Sequence, residues 1–305
     1  MTTGLDRDTA CDLLVAAGFS VDRGTAVLEQ RDDRRALTLP GDLMAWFPMT
    51  PESAARLAVE RRILDLLAAR CSFRAPRVVH NHESGWQVRA LVPGRYDPFV
   101  LYERIGADPA LARRLGRSLG GILAEQHACA TPAELAGWLP DRLPWPEPTA
   151  RLWETLPQVV DDPALLASMD LVLRRYEAAT PEADDVLLHG DLGLHNLVLT
   201  PDGQDIAGIF DYGGAACADR HQDFRYFVLS IDTEEALLEA ALDVYETSLG
   251  RRLDRERIRL GNAACSIGFL AYRAGTPPDV KSCGRTLAED LDWLRWSLGR
   301  LRLLQ

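Results

Sequence analysis

The stretch "LLHGDLGLHN", residues 187–196, ends an apolar run in His189, Asp191 and Asn196, spaced H-x-D-x-x-x-x-N. A second apolar run, "DIAGIFDYGG", closes on Asp211, Tyr212 and Gly213. If the two runs form a hairpin around the polar cluster, their ends lie side by side and Asp191, Asn196 and Asp211 converge. Phosphoryl transfer requires such a set: one carboxylate to accept a hydroxyl proton, and an oxygen pair to hold Mg²⁺ against nucleotide phosphates. Magnesium takes few protein ligands and fills its shell with water and phosphate oxygens, so one Asn and one Asp suffice. A plain polar turn would also use Asn and Asp. The coincidence of His, Asp, Asn and a downstream Asp-aromatic-Gly, however, has odds on the order of one in ten thousand.

The elements that must position this cluster fall into a strand-rich front and a helix-rich back. "TAVLEQ" (25–30), "RALTL" (35–39) and "DLMAWFP" (42–48) read as strands broken by "RDDR" and "PGD" turns. A helix opens at Pro51 and Glu52, with Ala55, Val59, Ile63 and Leu66 or Leu67 at helical spacing. "RVVH" and "WQVRALV" are two further strands, and "PGRYDP" (93–98) is the clearest break in the chain. Beyond it, residues 109–129, 163–179, 234–250, 254–275 and 287–304 read as amphipathic helices. The one β-like island there is 185–212. The expected fold class is therefore α+β. It comprises a small β-rich N-terminal lobe, 1–93, for nucleotide binding and a large helical lobe, 94–305, carrying the catalytic loop and the substrate site.

Composition narrows the function classes. The net charge of −11 argues against nucleic acid as a partner, because phosphate backbones want basic surface. It suits a cationic ligand, or serves solubility alone. Lys281 is the only lysine, so nearly all positive charge is arginine. The six cysteines, Cys11, Cys71, Cys129, Cys217, Cys265 and Cys283, are scattered without a C-x-x-C, which suggests neither a zinc site nor a disulfide framework. The N-terminal stretch lacks a basic start and an apolar core. No apolar run approaches the ~18 residues of a membrane span. A cytoplasmic protein with no membrane partner is expected.

"HGDLGLHN" followed by "IFDYGGAACADRHQDF" resembles the aminoglycoside phosphotransferase family, whose kinase-like superfamily includes choline, homoserine and methylthioribose kinases. The H-x-D-x-x-x-x-N and Asp-aromatic-Gly pair is similar to the protein-kinase catalytic loop and D-F-G triplet, with H-G-D in place of H-R-D. "ADRHQD" (218–223), the "PGR" after the hinge strand, "LGRSLGGILAEQH" ending in His127, and "PESAARLAVERRILDLL" with Glu60 carry the likeness further. Gly214 stands where an arginine is common in the 3′-phosphotransferase pattern. The resemblance implies a bilobal protein-kinase-like fold using ATP or GTP with Mg²⁺. It implies Asp191 as catalytic base, Asn196 and Asp211 as metal ligands, and Ala90, Leu91 and Val92 as the hinge against the purine. Glu60 is implied as the lobe-bridging carboxylate, and His189, Asp219 and Asp223 as loop supports.

One position departs from the family. Aligning "LMAWFP" on the strand that supplies the phosphate-binding lysine puts Trp46 at the cation's place, with Met44 its neighbour on the same face. An arginine from another strand (Arg31, Arg34 or Arg35) substitutes, or nucleotide binds without this contact, or the protein is a pseudokinase. With Trp46 packed in the lobe interior and the cation absent or supplied elsewhere, the native protein is expected to turn over, and Glu60→Gln should be milder than Asp191→Asn. For the acceptor, Glu289 and Asp292 share a helix face with Trp293 and Trp296 adjoining, which suits an ammonium-bearing ligand. A solvated acidic edge beside two core tryptophans fits the same residues. The function expected is γ-phosphoryl transfer to a hydroxyl of a small cationic antibiotic. The alternatives are a metabolic small-molecule kinase acting on an amino alcohol, amino acid or sugar, and a nucleotide-binding pseudokinase.

Overall fold

A computed structural model describes residues 5–179, 185–232, 234–282 and 284–304, so Cys283 lies outside the described residues. In chain order the elements are α1 (Arg7–Ala16), β1 (Leu28–Arg31), β2 (Arg34–Leu39), β3 (Leu43–Pro48), α2 (Pro51–Arg70), β4 (Arg77–Asn81) and β5 (Gln87–Ala90). Helices α3 (Pro98–Ala107), α4 (Pro109–Ala128), α5 (Pro132–Leu135), α6 (Thr149–Thr155) and α7 (Pro163–Ala178) follow. Next come β6 (Asp185–Leu188), β7 (Leu197–Leu199), β8 (Ile206–Ile209) and β9 (Ala216–Asp219). A 3-10 segment (Arg220–Phe227) then leads to α8 (Ala236–Leu249), α9 (Arg255–Tyr272) and α10 (Leu287–Gly299). Among the described residues no helix is long and apolar enough to cross a membrane.

The chain divides into two compact units, residues 5–96 with Asn196–Gly213, and Asp97–His195 with the residues from Gly214 onward. In the first, an antiparallel sheet of order β1-β2-β3-β5-β4 has an apolar face and a polar one. Leu37, Leu39, Ala45, Phe47 and Val88 pack with Cys11 and Leu14 of α1. Helix α1, which was not expected from the sequence, contributes Ala10, Cys11 and Leu14 to this core. Helix α2 starts where Thr50 and Ser53 cap each other reciprocally (3.1 and 3.0 Å) with Pro51 in the first turn. Its buried face runs through Leu57, Glu60, Ile63, Leu64 and Leu67, whereas Ala55 is exposed. The stripe read from Ala55 and Val59 was thus rotated, because the charged Glu60 is one of the buried positions.

The second unit is built on helix packing. Asp108 accepts from Ala110 and Leu111 N–H to start α4, and Leu111, Leu115, Leu119, Ile122 and Leu123 are buried. Helix α8 lies so close to α4 that a Cβ on Gly120 would sit 2.2 Å from the Ala241 carbonyl oxygen, and only glycine fits there. A second core joins α6, α7, α9 and α10 through Leu152, Met169, Val172, Ile267, Leu270, Leu294 and Leu298. Helices α3 and α6 were not expected from the sequence.

Two expectations about the β-like island are corrected. Strand β6 pairs with β9, and β7 pairs with β8, so residues 189–196 link two separate ladders and are not the turn of one hairpin. The β7–β8 hairpin also groups with the first unit, although the sequence boundary at 93/94 had assigned it to the helical lobe. Backbone bonding is the reason: Arg95 and Leu199 exchange N–H···O bonds (2.8 and 2.9 Å), and Ile209 N–H donates to Arg74 O at 3.0 Å.

Candidate active site

Asn196 and Asp211 are brought together by hairpin register. Leu197 pairs with Ile209, and one step further the Phe210 N–H donates to the Asn196 carbonyl at 3.1 Å. Asp211 is the next residue. It is exposed and takes a left-handed backbone conformation, φ 69°, which aspartate tolerates better than most residues. The turn ends the strand and places Asp211 at the hairpin's end, next in the chain to the Phe210 that bonds the buried Asn196. An amide oxygen and a carboxylate are the hard donors Mg²⁺ takes, in the small number it takes from proteins. These two residues fit such an ion, which when bound would neutralise phosphate charge. Among the described residues no cluster of three or more His, Cys, Asp or Glu could hold a metal instead.

The same unit carries Glu60, Trp46 and the 90–92 segment. Trp46 is opposite Ala36 on one side and Gln87 on the other, so the two-residue strand period puts Arg34 of β2 and Arg89 of β5 on its face of the sheet. Both reach Glu60, which is 3% exposed: Arg34 Nη1 donates to Oε1 at 2.7 Å and Arg89 Nη1 donates to Oε2 at 2.6 Å. The guanidinium carbons of Arg31, Arg34 and Arg89 stand 5.8, 5.3 and 5.8 Å from the Trp46 ring centroid. Of the three arginines named from sequence, Arg34 meets the glutamate; Arg89 was not foreseen. Its signal was the alternation of Gln87 and Arg89 within an otherwise apolar strand. Strand β5 ends at Ala90, and the Leu91 N–H donates to Asp42 O at 2.8 Å.

The expectation that Glu60→Gln is mild does not survive this geometry. Neutralising the carboxylate would leave two guanidiniums facing each other with little solvent. Breaking a buried ion pair costs roughly 3–5 kcal/mol, so Glu60→Gln should lower unfolding stability by an amount of that order. Denaturant titration against the native chain is the check.

In the second unit, the backbone of the H-x-D loop hangs from Asp223. Its Oδ2 accepts from His189 N–H and its Oδ1 from Gly190 N–H, both at 2.9 Å. Gln126 Nε2 and His127 Nε2 lie 3.1 Å from Oδ2, and His127 Nδ1 is 2.8 Å from the Tyr245 hydroxyl. Burial pushes the Asp223 carboxyl up, but His127, His189 and the Gly190 amide more than offset it and hold it below the usual range. Arg225 Nη2 donates to Gly190 O at 2.7 Å. Gly190 itself has φ 83°, and a Cβ there would stand 2.0 Å from the Gly214 carbonyl oxygen. That contact explains why the motif reads H-G-D, with no side chain between His189 and Asp191.

Asp191 is partly exposed, with its N–H donating to His189 Nδ1 at 3.3 Å and Oδ2 3.3 Å from His195 Nε2. Burial pushes its carboxyl up, yet His195, His189 and Arg225 together bring it below the ordinary value. His195 was visible as the residue four after Asp191 but was not singled out.

Asp219 steadies the segment that bears Asp223. Its Oδ2 accepts from Arg257 Nε at 2.6 Å and its Oδ1 is 2.7 Å from His221 Nδ1. Because His221 Nε2 accepts from Asp254 N–H, Nδ1 carries the proton and donates. Burial raises the Asp219 carboxyl, but His221 and Arg257 bring it down to about 2. A depressed carboxylate stabilises the fold above its unfolded value, and that contribution disappears as pH falls through the folded value. Asp219→Asn should cost about 2 kcal/mol at neutral pH. The gap from native should close between pH 4 and pH 2, as read by denaturant unfolding at each pH.

The acceptor candidates on α10 are engaged by the protein itself. Glu289 closes the helix's capping box, accepting from Thr286 N–H at 2.7 Å and Thr286 Oγ1 at 2.9 Å. Asp292 pairs with Arg295 at 3.1 Å. Arg285 lies over the Trp293 ring at 4.7 Å and Arg300 over Trp296 at 5.6 Å. The cations on these rings are the chain's own arginines, and Glu289 acts as a helix cap.

The sequence model described as the phosphotransferase enzyme family matches residues 21–260. Streptomycin 3''-kinase from Streptomyces griseus is 34% identical over 141 residues, which cover 46% of this chain and 42% of that protein. The chain thus spans less than half the length of this curated relative. The GDP complex of aminoglycoside 2'-phosphotransferase-IIIa superposes with a TM-score of 0.67 at 18% identity, covering 97% of this chain and 99% of that one. Macrolide 2'-phosphotransferase MphH from Brachybacterium faecium gives 0.62 at 23% identity, covering 97% and 98%. These two likenesses establish a shared α+β, protein-kinase-like fold.

Proposed function

We propose, starting from the fact that the chain belongs to the phosphotransferase enzyme family, that it moves the γ-phosphoryl group of ATP or GTP to a hydroxyl of a cationic antibiotic of the aminoglycoside class. The observation that carries this reading is the end of the β7–β8 hairpin, where Asn196 and Asp211 adjoin in the same unit as the Arg34–Glu60–Arg89 cluster. In this reading Asn196 and Asp211 hold Mg²⁺ on the nucleotide phosphates, and the 90–92 segment meets the base. Asp191 orients the acceptor hydroxyl and takes its proton, on a loop whose backbone Asp223 fixes. Positioning and charge stabilisation account for most of the catalysis in this chemistry.

The aminoglycoside class is supported by the streptomycin-kinase relative and by the net charge of −11, which draws cations by its field. A macrolide acceptor is the second reading, favoured by the fold shared with a macrolide phosphotransferase. Among the described residues no disulfide joins the cysteines, which suits a reducing, cytoplasmic setting. The test is transfer of label from γ-labelled ATP and GTP, with Mg²⁺, to a panel of aminoglycosides, macrolides, amino alcohols and sugars. Label on streptomycin or another aminoglycoside supports the proposal. Transfer only to a macrolide or a metabolite moves the acceptor class, and no transfer by a protein that binds nucleotide identifies a pseudokinase.

A further inference from the structure

We propose that Arg34 is the phosphate-binding cation of this protein, replacing a lysine on strand β3, while Arg89 serves as the fixed countercharge of Glu60. The inference rests on the kinase reading above and names the residue that completes its nucleotide site.

The two arginines are not equivalent. Arg89 is spent inward: Nη1 donates to Glu60, while Nε and Nη2 lie 3.3 and 3.2 Å from Gln87 Oε1. Gln87 in turn donates to the Leu57 carbonyl of α2, so Arg89 is locked between sheet and helix. Arg34 gives Glu60 only Nη1. Its Nη2 points toward Gly213, where a Cβ would lie 3.4 Å from Arg34 Nη2, 3.4 Å from Asp211 Oδ1 and 3.3 Å from Glu60 Oε1. The Arg34 guanidinium and the Asp211 carboxylate therefore flank the same exposed glycine, on the metal-ligand side of the cluster.

Charge points the same way. One glutamate faces two arginines, so the cluster keeps one positive charge in excess. The neighbouring charges have other partners: Asp33 is paired with Arg56 and stands 3.9 Å from Arg34 Nε, Arg31 is paired with Glu29, and the Asp211 carboxylate beside Gly213 is the one that a bound Mg²⁺ would take in the kinase reading. A partly shielded surplus cation beside a hard-oxygen metal site is what a nucleotide polyphosphate recognises.

Trp46 then has a reason. A lysine at its place would be a third cation between two arginines with one carboxylate to share. An indole instead offers a π face to all three nearby guanidiniums. The cation has moved to the adjacent strand, and the vacated position has become its platform.

The experiment compares native protein, Arg34→Gln, Arg34→Lys and Trp46→Lys. Binding of Mg²⁺–ATP and Mg²⁺–GTP, and of adenosine and guanosine as competitors, is measured by calorimetry or displacement of a fluorescent nucleotide. Thermal melting is recorded for each variant. Arg34→Gln should weaken triphosphate binding roughly 10- to 100-fold and leave nucleoside binding unchanged, with Arg34→Lys intermediate. Trp46→Lys should not tighten triphosphate binding. Equal weakening for nucleoside and triphosphate would show a structural role only and overturn the assignment, as would an Arg34→Gln variant with native triphosphate affinity. Tighter binding by Trp46→Lys would also overturn it, since the site would then be lacking a cation. A native protein that binds no nucleotide at all would overturn the kinase reading, and this assignment with it.

Discussion

Asp191→Asn is expected to reduce phosphoryl transfer by roughly 10²–10⁴-fold, the span of general-base catalysis, while nucleotide affinity stays near native. The substitution preserves shape and leaves the loop's anchors in place, because the Asp223 bonds run to the backbone of His189 and Gly190 and not to the Asp191 side chain. What is lost is a negative charge. Burial pushes the native carboxyl up, and His195, His189 and Arg225 more than offset it, so it is ionised throughout the neutral range and carries the charge that the variant lacks. An amide can still hydrogen-bond a hydroxyl but cannot accept its proton. Steady-state transfer assays paired with nucleotide titration decide the matter, and near-native kcat in a folded variant would remove Asp191 from the catalytic role.

Asp211→Ala should abolish the Mg²⁺-dependent part of nucleotide binding. It deletes the one carboxylate assigned to the metal, and Asn196 alone offers a neutral amide oxygen. The Asp211 side chain is exposed and outside the apolar cores, so little stability should go with it. Releasing a non-glycine residue from φ 69° complicates alanine more than asparagine, which tolerates that region. Asp211→Asn is therefore the companion variant: it keeps the turn and removes the charge. Calorimetric titration with and without Mg²⁺ should show native protein responding strongly to the ion and both variants scarcely responding. Unchanged Mg²⁺ dependence would move the metal site elsewhere.

The two units depend on different residues for these effects, and the stability variants separate them. Glu60→Gln perturbs the sheet and α2 of the first unit. Asp219→Asn perturbs the β9 end and the following 3-10 segment of the second. Asp219→Asn touches neither the Asp191 carboxylate nor the hairpin end, so a loss of activity in it that exceeds its loss of folded protein would point to positioning, whereas Glu60→Gln also disturbs Arg34 beside Gly213.

Local chemistry was legible in the amino-acid sequence wherever it depended on near neighbours in the chain. The spacing of His189, Asp191 and Asn196, the Asp211-Tyr212-Gly213 triplet, the strand alternation of the first sheet and the apolar stripes of α4, α7, α8 and α9 are all short-range patterns. Each is dictated by backbone periodicity or by a turn that needs particular residues. Register was not legible. That β6 pairs with β9, and β7 with β8, depends on which distant backbone groups satisfy one another, and the buried residues of β6 and β7 are all apolar, with no alternation to select a partner. The partner of Glu60 was beyond reach for the same reason. Trp46, seen along one strand, looked like a missing cation. Only the sheet, by setting Arg34 and Arg89 on the strands either side of it, shows the charge displaced sideways by one strand. The α10 residues erred in the opposite direction: Glu289, Asp292, Trp293 and Trp296 form a plausible ligand face in isolation. Their partners are local and lay within reach of a window: Thr286 stands three residues before Glu289 as a capping box, and Arg285 and Arg300 lie eight residues before Trp293 and four after Trp296. Long-range pairing of charges and backbone groups is a property of the assembled tertiary structure, and no window along the chain contains it.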